Sequence, residues 1–194
     1  MNAVSKVIFP GVLRNKNGVL VEAHSTSTLV TSEDHIIVVD TSSPQFRPLL
    51  LDGLRRLGVD PLKVDMVVNT HLHHDHCSNN DLFPNATFYA RVEEDPSPGM
   101  QAVREDTDLC LDVRLVHTPG HTRGSMSVVV RAPDGVHVVA GDAVPTRENF
   151  EQWVPPMIRF DESVALDSMR RIADMAAVIV PGHGPAFRTY GEKR

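Results

Sequence analysis

The run Thr70-His71-Leu72-His73-His74-Asp75-His76 sets four imidazoles and a carboxylate within seven residues. Neutral imidazole is the commonest protein ligand for transition metals, so metal chemistry is the first expectation. Alternate residues of an extended segment face the same way, so His71 and His73 can converge on one ion. Asp75 and His76 follow where the backbone turns away and suit a neighbouring ion, which implies two metals. On the same reading His74 points away from the cluster. Three isolated positions can complete such a site: His121 in Thr118-Pro119-Gly120-His121-Thr122, Asp142 in Ala140-Gly141-Asp142, and His183 in Pro181-Gly182-His183-Gly184. Each follows a predicted strand, and glycine and proline there make sharp turns that present a side chain at a sheet's end. All seven donors are nitrogen or oxygen, which suits zinc, with iron or manganese left open by spacing alone.

Elements able to position these residues can be read on either side of them. Val7-Ile8-Phe9, Val19-Leu20-Val21, Ser25 to Thr31 and Ile36 to Val39 have strand character, with a polar turn at Ser32-Glu33-Asp34, and read as an antiparallel meander. From Gln45 to Leu57, Leu49, Leu50, Leu54 and Leu57 fall at helical spacing, with Gly58 just past the end. Met66 to Thr70 is a buried-type strand running into the histidine cluster, and Leu82-Phe83-Pro84 closes a brief helix after it. Strands are expected again at Val113 to His117, Ser125 to Arg131 and Val136 to Ala140, then a helix from Ser163 to Met175 and a strand from Ala177 to Val180. Strands then helix, twice over, predict an α/β chain of two packed sheets with helices on the outer faces, one domain over residues 1–194.

Composition excludes several classes. The chain has 194 residues, 41% hydrophobic and 23% charged, as ordinary globular proteins do. A net charge of −6 supplies no broad positive field for nucleic acid. No segment approaches the roughly 20 apolar residues of a membrane span, and the amino-terminal residues lack a secretion signal, so no membrane association and a cytoplasmic location are expected. Cys77 and Cys110 are read as free thiols, Cys77 as a small apolar filler beside the cluster. His24, His35, His117 and His137 are read as surface or satisfied core residues.

In its ordered elements the sequence resembles the metallo-β-lactamase superfamily: an early Asp, His-x-His-x-Asp-His, a lone His, a lone Asp and a last His, over roughly Thr28 to His183. Asp40 matches the early Asp, although Ser42 stands where many members have glycine. The resemblance implies an αββα four-layer sandwich of two mixed sheets. It further implies that His71, His73 and His121 bind one metal, that Asp75, His76 and His183 bind the other, and that Asp142 bridges them. Asp40 would hold a ligand imidazole in its tautomer. The implied cofactor is two Zn2+, and the implied reaction a hydrolysis in which a bridging hydroxide attacks a carbonyl or phosphoryl centre, with Asp75 as the catalytic residue that orients water and shuttles protons.

Only eleven residues follow His183, so a compact hydrolase is expected, without the helical carboxy-terminal domain of glyoxalase II or the insert of the large nucleases. Its expected partner is a small-molecule ester, thioester, lactone or phosphodiester, with RNA also carried. Two alternatives remain: a mononuclear iron persulfide dioxygenase, and a metal-stabilised binding protein without turnover. Phe150 to Met157, holding the only tryptophan, is read as a loop that packs on the domain, walls the substrate mouth or forms a homodimer contact.

Overall fold

The structure is a computed structural model and describes residues 3–33 and 35–189. Asp34, in the turn expected at 32–34, lies outside the described residues.

One sheet runs β1 (Val4–Phe9), β4 (Ser27–Ser32), β5 (His35–Val39), β6 (Met66–Val68), β7 (Thr87–Arg91) and β8 (Gln101–Val103) in spatial order. The other runs β14 (Phe187–Arg188), β13 (Val178–Pro181), β12 (Gly135–Gly141), β11 (Met126–Ala132), β10 (Val113–His117) and β9 (Thr107–Cys110). Both are mixed: β5 to β8 pair in parallel, as do β12 and β13, and the remaining neighbours are antiparallel.

Strand alternation builds the layers. Ile37 and Val39 meet Leu115, Val128 and Val139 between the sheets, whereas Val38 turns outward onto Leu50 and Leu54 of α1 (Arg47–Arg56). In the second sheet Val139 and Val180 face inward, while Val138 and Ile179 meet Met169 and Ile172 of α4 (Glu162–Met175). Period two in the strands therefore gives every sheet two apolar faces, and one helix covers each outer face. This is the expected αββα sandwich. Asp161 caps α4 by accepting the Val164 amide at 3.0 Å.

The sheet order corrects the simple meander. Val12–Lys16 (β2) pairs with Val19–His24 (β3) in a separate hairpin, so β1 meets β4 directly. The hairpin turns on Asn17 and Gly18, both at positive φ (53° and 77°), as a two-residue type I′ connection requires. Leu49, expected on the buried face of α1, is exposed; Leu50 and Leu54 turn inward, and Leu57 packs partly buried beside them. The expected helix start at Gln45 is a 3-10 turn, Pro44–Phe46, leading into α1.

Candidate metal centre

The seven predicted donors gather at one end of the two sheets. His71 and His73 lie just past β6, and Asp75 and His76 sit on the single turn α2 (His74–Cys77) where the chain bends back. His121 lies in the β10–β11 connection, and Asp142 and His183 follow β12 and β13. The parallel register pairs Gly141 with Pro181, which sets Asp142 beside His183. Gly182 is required there by space: a Cβ on it would stand 2.0 Å from Asp142 Oδ1. Gly120 combines a positive φ of 135° with a Cβ direction blocked by Ala165 of α4 at 2.3 Å. The two sheets are joined at the site, since the Met126 amide donates to Thr70 O at 2.8 Å.

His121 Nε2 lies 3.2 Å from His71 Nε2 and 2.9 Å from His73 Nδ1. Asp75 Oδ2 lies 3.9 Å from His76 Nε2 and 3.8 Å from His183 Nε2. Asp142 stands between these two groups. Its Oδ1 is 3.2 Å from His183 Nε2 and 3.5 Å from His76 Nε2, and its Oδ2 is 3.5 Å from His121 Nε2. Within each of the triads His71/His73/His121 and Asp75/His76/His183, the ligand atoms fall within 4.8 Å of one another.

Outer partners fix which ring nitrogen faces inward. His121 Nδ1 donates to Ile158 O at 2.7 Å and His183 Nδ1 donates to His24 O at 2.9 Å. A carbonyl can only accept, so the Nε2 of each ring is the one turned inward. His76 Nδ1 donates to Asp40 Oδ2 at 2.8 Å, with the same result. Asp40 is buried and left-handed (φ 56°), anchored by the Thr70 amide and hydroxyl at 2.8 and 2.7 Å. Ser42 takes φ 61°, the conformation that glycine would supply freely, and its hydroxyl bonds Ser25 O. Asn79 Nδ2 lies within 3.2 Å of the Thr41, Ser42 and Ser43 carbonyls and holds that loop.

The electrostatics divide the centre. Burial pushes His71 well below the ordinary histidine range, reinforced by neighbouring His76, and burial also lowers His73. Burial opposes charge on His76 too, yet Asp40 and Asp142 raise it well above that range. His183 is raised by Asp142 against the effect of burial, and Asp142 is held well below the carboxylate range, against burial, by His183 and His76. The carboxylates thus call for positive charge at the inward nitrogens of His76 and His183. His76 Nε2 and Asp142 Oδ1 are nonetheless buried without a properly directed hydrogen bond. Buried polar atoms are almost always partnered, so a divalent cation fits this all-nitrogen-and-oxygen cradle.

Glu94 was not visible as a site residue in the sequence. One of its oxygens accepts the Leu72 amide at 2.9 Å, and the other accepts the Thr122 hydroxyl at 2.6 Å and the Gly124 amide at 3.0 Å. It clamps the segment carrying His71 and His73 to the loop carrying His121. Its only sequence signal was an acidic side chain in a stretch without periodicity.

His74 is exposed. Cys77 is half-buried, its thiol directed at the Leu72 and His73 carbonyls, and no cysteine joins a donor cluster among the described residues. The other histidines have separate partners: His24 stacks on Phe46, His35 meets Asp65, His117 meets Arg123 O, and His137 meets Ser5. The expected loop at 150–157 is partly helical, with α3 (Arg147–Gln152) ending at a left-handed Trp153. Trp153 packs on Phe150, which in turn meets Phe187, so this tryptophan belongs to the second outer core. Pro156, Met157 and Ile158 are the residues that reach the mouth of the centre.

The profile of the Metallo-beta-lactamase superfamily matches residues 21–100 and 95–183. A probable metallo-hydrolase of Methanocaldococcus jannaschii is 38% identical over 180 residues, 92% of this chain and 85% of that protein. Metallo-beta-lactamase domain-containing protein 1 of Xenopus laevis is 33% identical over 192 residues, 94% and 80% of the two chains. The solved structure of a quorum-quenching N-acyl homoserine lactone lactonase has a TM-score of 0.73 over 94% of this chain and 91% of that one, at 22% identity. The seven-donor cluster at the sheet ends and these similarities agree: the chain belongs to the metallo-beta-lactamase superfamily and is one of its hydrolases.

Proposed function

We propose that this chain hydrolyses carboxylic esters, thioesters or lactones at a pair of divalent metal ions, zinc by preference. His71, His73 and His121 would hold one ion and Asp75, His76 and His183 the other, with Asp142 shared. The observation that carries this is the Asp142 carboxylate, whose two oxygens face different triads at 3.2 to 3.5 Å. A mononuclear iron site would leave the second triad without a role.

When bound, such ions supply hydroxide at neutral pH and an electrophile for the scissile carbonyl. The chain supplies the rest. Asp40, Ile158 O and His24 O orient three imidazoles before substrate arrives. Asp75 is the more open of the two central carboxylates, its side chain 23% exposed against 11% for Asp142. It lines the mouth, placed to accept a proton from the attacking water and return it to the leaving oxygen. Among the described residues no lysine or arginine lines that mouth, which favours an acyl substrate over a phosphodiester or RNA.

Metal analysis after zinc reconstitution should give two ions per chain, with turnover on lactone, thioester or ester substrates. Asp75→Asn should lower turnover by about 10²–10⁴-fold while far-UV circular dichroism stays unchanged. One iron per chain with oxygen consumption on a persulfide would replace this reading with the dioxygenase. Stoichiometric metal with no turnover would leave a binding protein.

A further inference from the structure

We propose that the cleft above the donor cluster seats an aliphatic acyl chain, so that the substrate is an acyl ester or lactone with an apolar tail; this rests on the hydrolytic reading above. The cleft floor is the cluster itself, with His73, Asp75, His121, Asp142 and His183 open to it. One wall is the β2–β3 hairpin, through Leu13, Leu20 and Ala23; the other comprises Pro145 and the segment Pro156, Met157 and Ile158. Among the described residues that line these walls, Asn15 has the sole polar side chain and none is charged.

Met157 and Ile158 leave 47% and 51% of their surface in water. Large apolar side chains clustered at the rim of a polar centre mark a place where an apolar ligand is to be covered. Charged or strongly hydrated substrate tails would lose solvation there without gaining a partner.

Both walls are tied to the floor through the cluster imidazoles. Ile158 O accepts from His121 Nδ1 at 2.7 Å, and His24 O, at the foot of the hairpin, accepts from His183 Nδ1 at 2.9 Å. One imidazole of each triad thereby sets the position of one wall. A carbonyl held over Asp142 must send its chain out between Leu20 and Met157, and this is where selectivity for tail length resides.

Two measurements test the proposal. With 4-nitrophenyl esters from acetate to octanoate, kcat/KM of the zinc-loaded protein should rise about tenfold or more with length. Leu20→Asn and Met157→Asn should each flatten that ratio. Separately, octanamide titrated into metal-free protein should shift the methyl resonances of Leu13, Leu20, Met157 and Ile158, and acetamide should not. Methyl shifts without hydrolysis of any ester would keep the acyl site and sink the catalytic reading. Hydrolysis independent of chain length, or octanamide leaving those methyls unmoved, would overturn the acyl site itself.

Discussion

Oδ2 of Asp40 lies 2.8 Å from Nδ1 of His76 and accepts the Thr70 hydroxyl at 2.7 Å, so one buried oxygen serves both a candidate ligand and the segment after β6 that leads to it. Asn tolerates the left-handed φ of Asp40 but lacks its charge. Asp40→Asn should therefore keep the fold and weaken zinc binding by about 10–100-fold, the usual effect of removing a partner behind a ligand histidine. Competition titration against a chromophoric chelator measures this, and wild-type affinity in the variant would show that Asp40 does not support His76.

Glu94 offers a different kind of support. Glu94→Ala strands the Leu72 and Gly124 amides, which now donate to it. Loss of about 1–3 kcal/mol of stability is expected from buried donors left unmet. The first triad should also bind metal more weakly, whereas Glu94→Gln, which keeps an acceptor, should recover part of both. Cobalt spectra of the two variants, taken with urea melts, separate site disorder from general destabilisation.

The steric position of Gly182 gives a third prediction. With only 2.0 Å between a new Cβ and Asp142 Oδ1, Gly182→Ala must move the shared carboxylate or the backbone. Overpacking of this kind costs about 1–3 kcal/mol. The expected result is a folded protein that retains fewer than two zinc ions per chain after dialysis. Two tightly held ions in Gly182→Ala would contradict the central placement of Asp142.

Away from the centre, Asp106 ties the start of β9 to β10 and α4, accepting the His117 amide at 2.7 Å and the Arg171 guanidinium at 2.5 Å. Burial works to raise its pKa, but these bonds and the Arg171 charge hold it below the ordinary aspartate value. A carboxyl depressed on folding stabilises the protein above its unfolded-state pKa of about 3.9, and the contribution is lost as pH falls through the folded-state value. Wild type should therefore exceed Asp106→Asn by about 0.5–1 kcal/mol at pH 7, with the gap closing on acidification toward pH 3. A gap independent of pH would mean that the carboxylate's charge contributes nothing.

Much of this molecule was legible as pattern. Val113 to His117 was read at its observed bounds, and the helix expected at Ser163 begins one residue earlier, at Glu162. Alternation and 3.6-residue periodicity are local properties, and these segments obey them without interference. The candidate donors stood out because turn residues punctuate each one after a strand. What escaped was set by contacts distant in sequence. Glu94 gains its partners only when Leu72 and Gly124 arrive from two other segments, and no periodicity announces that. The β2–β3 hairpin did leave a signal, Asn17-Gly18, but its departure from the sheet depends on β1 pairing with β4. Phe150 to Gln152 read as loop because the short helix α3 has too few turns to show an apolar face.

Each triad draws two donors from the end of the first sheet and its third from a connection of the second. A polypeptide emerging from the ribosome can therefore complete neither triad from its amino-terminal half, and the second waits until His183 is free. On the proposed ligand set, ion capture is a late event in biogenesis, and a translation product truncated before residue 183 would carry at most one ion however much zinc surrounds it.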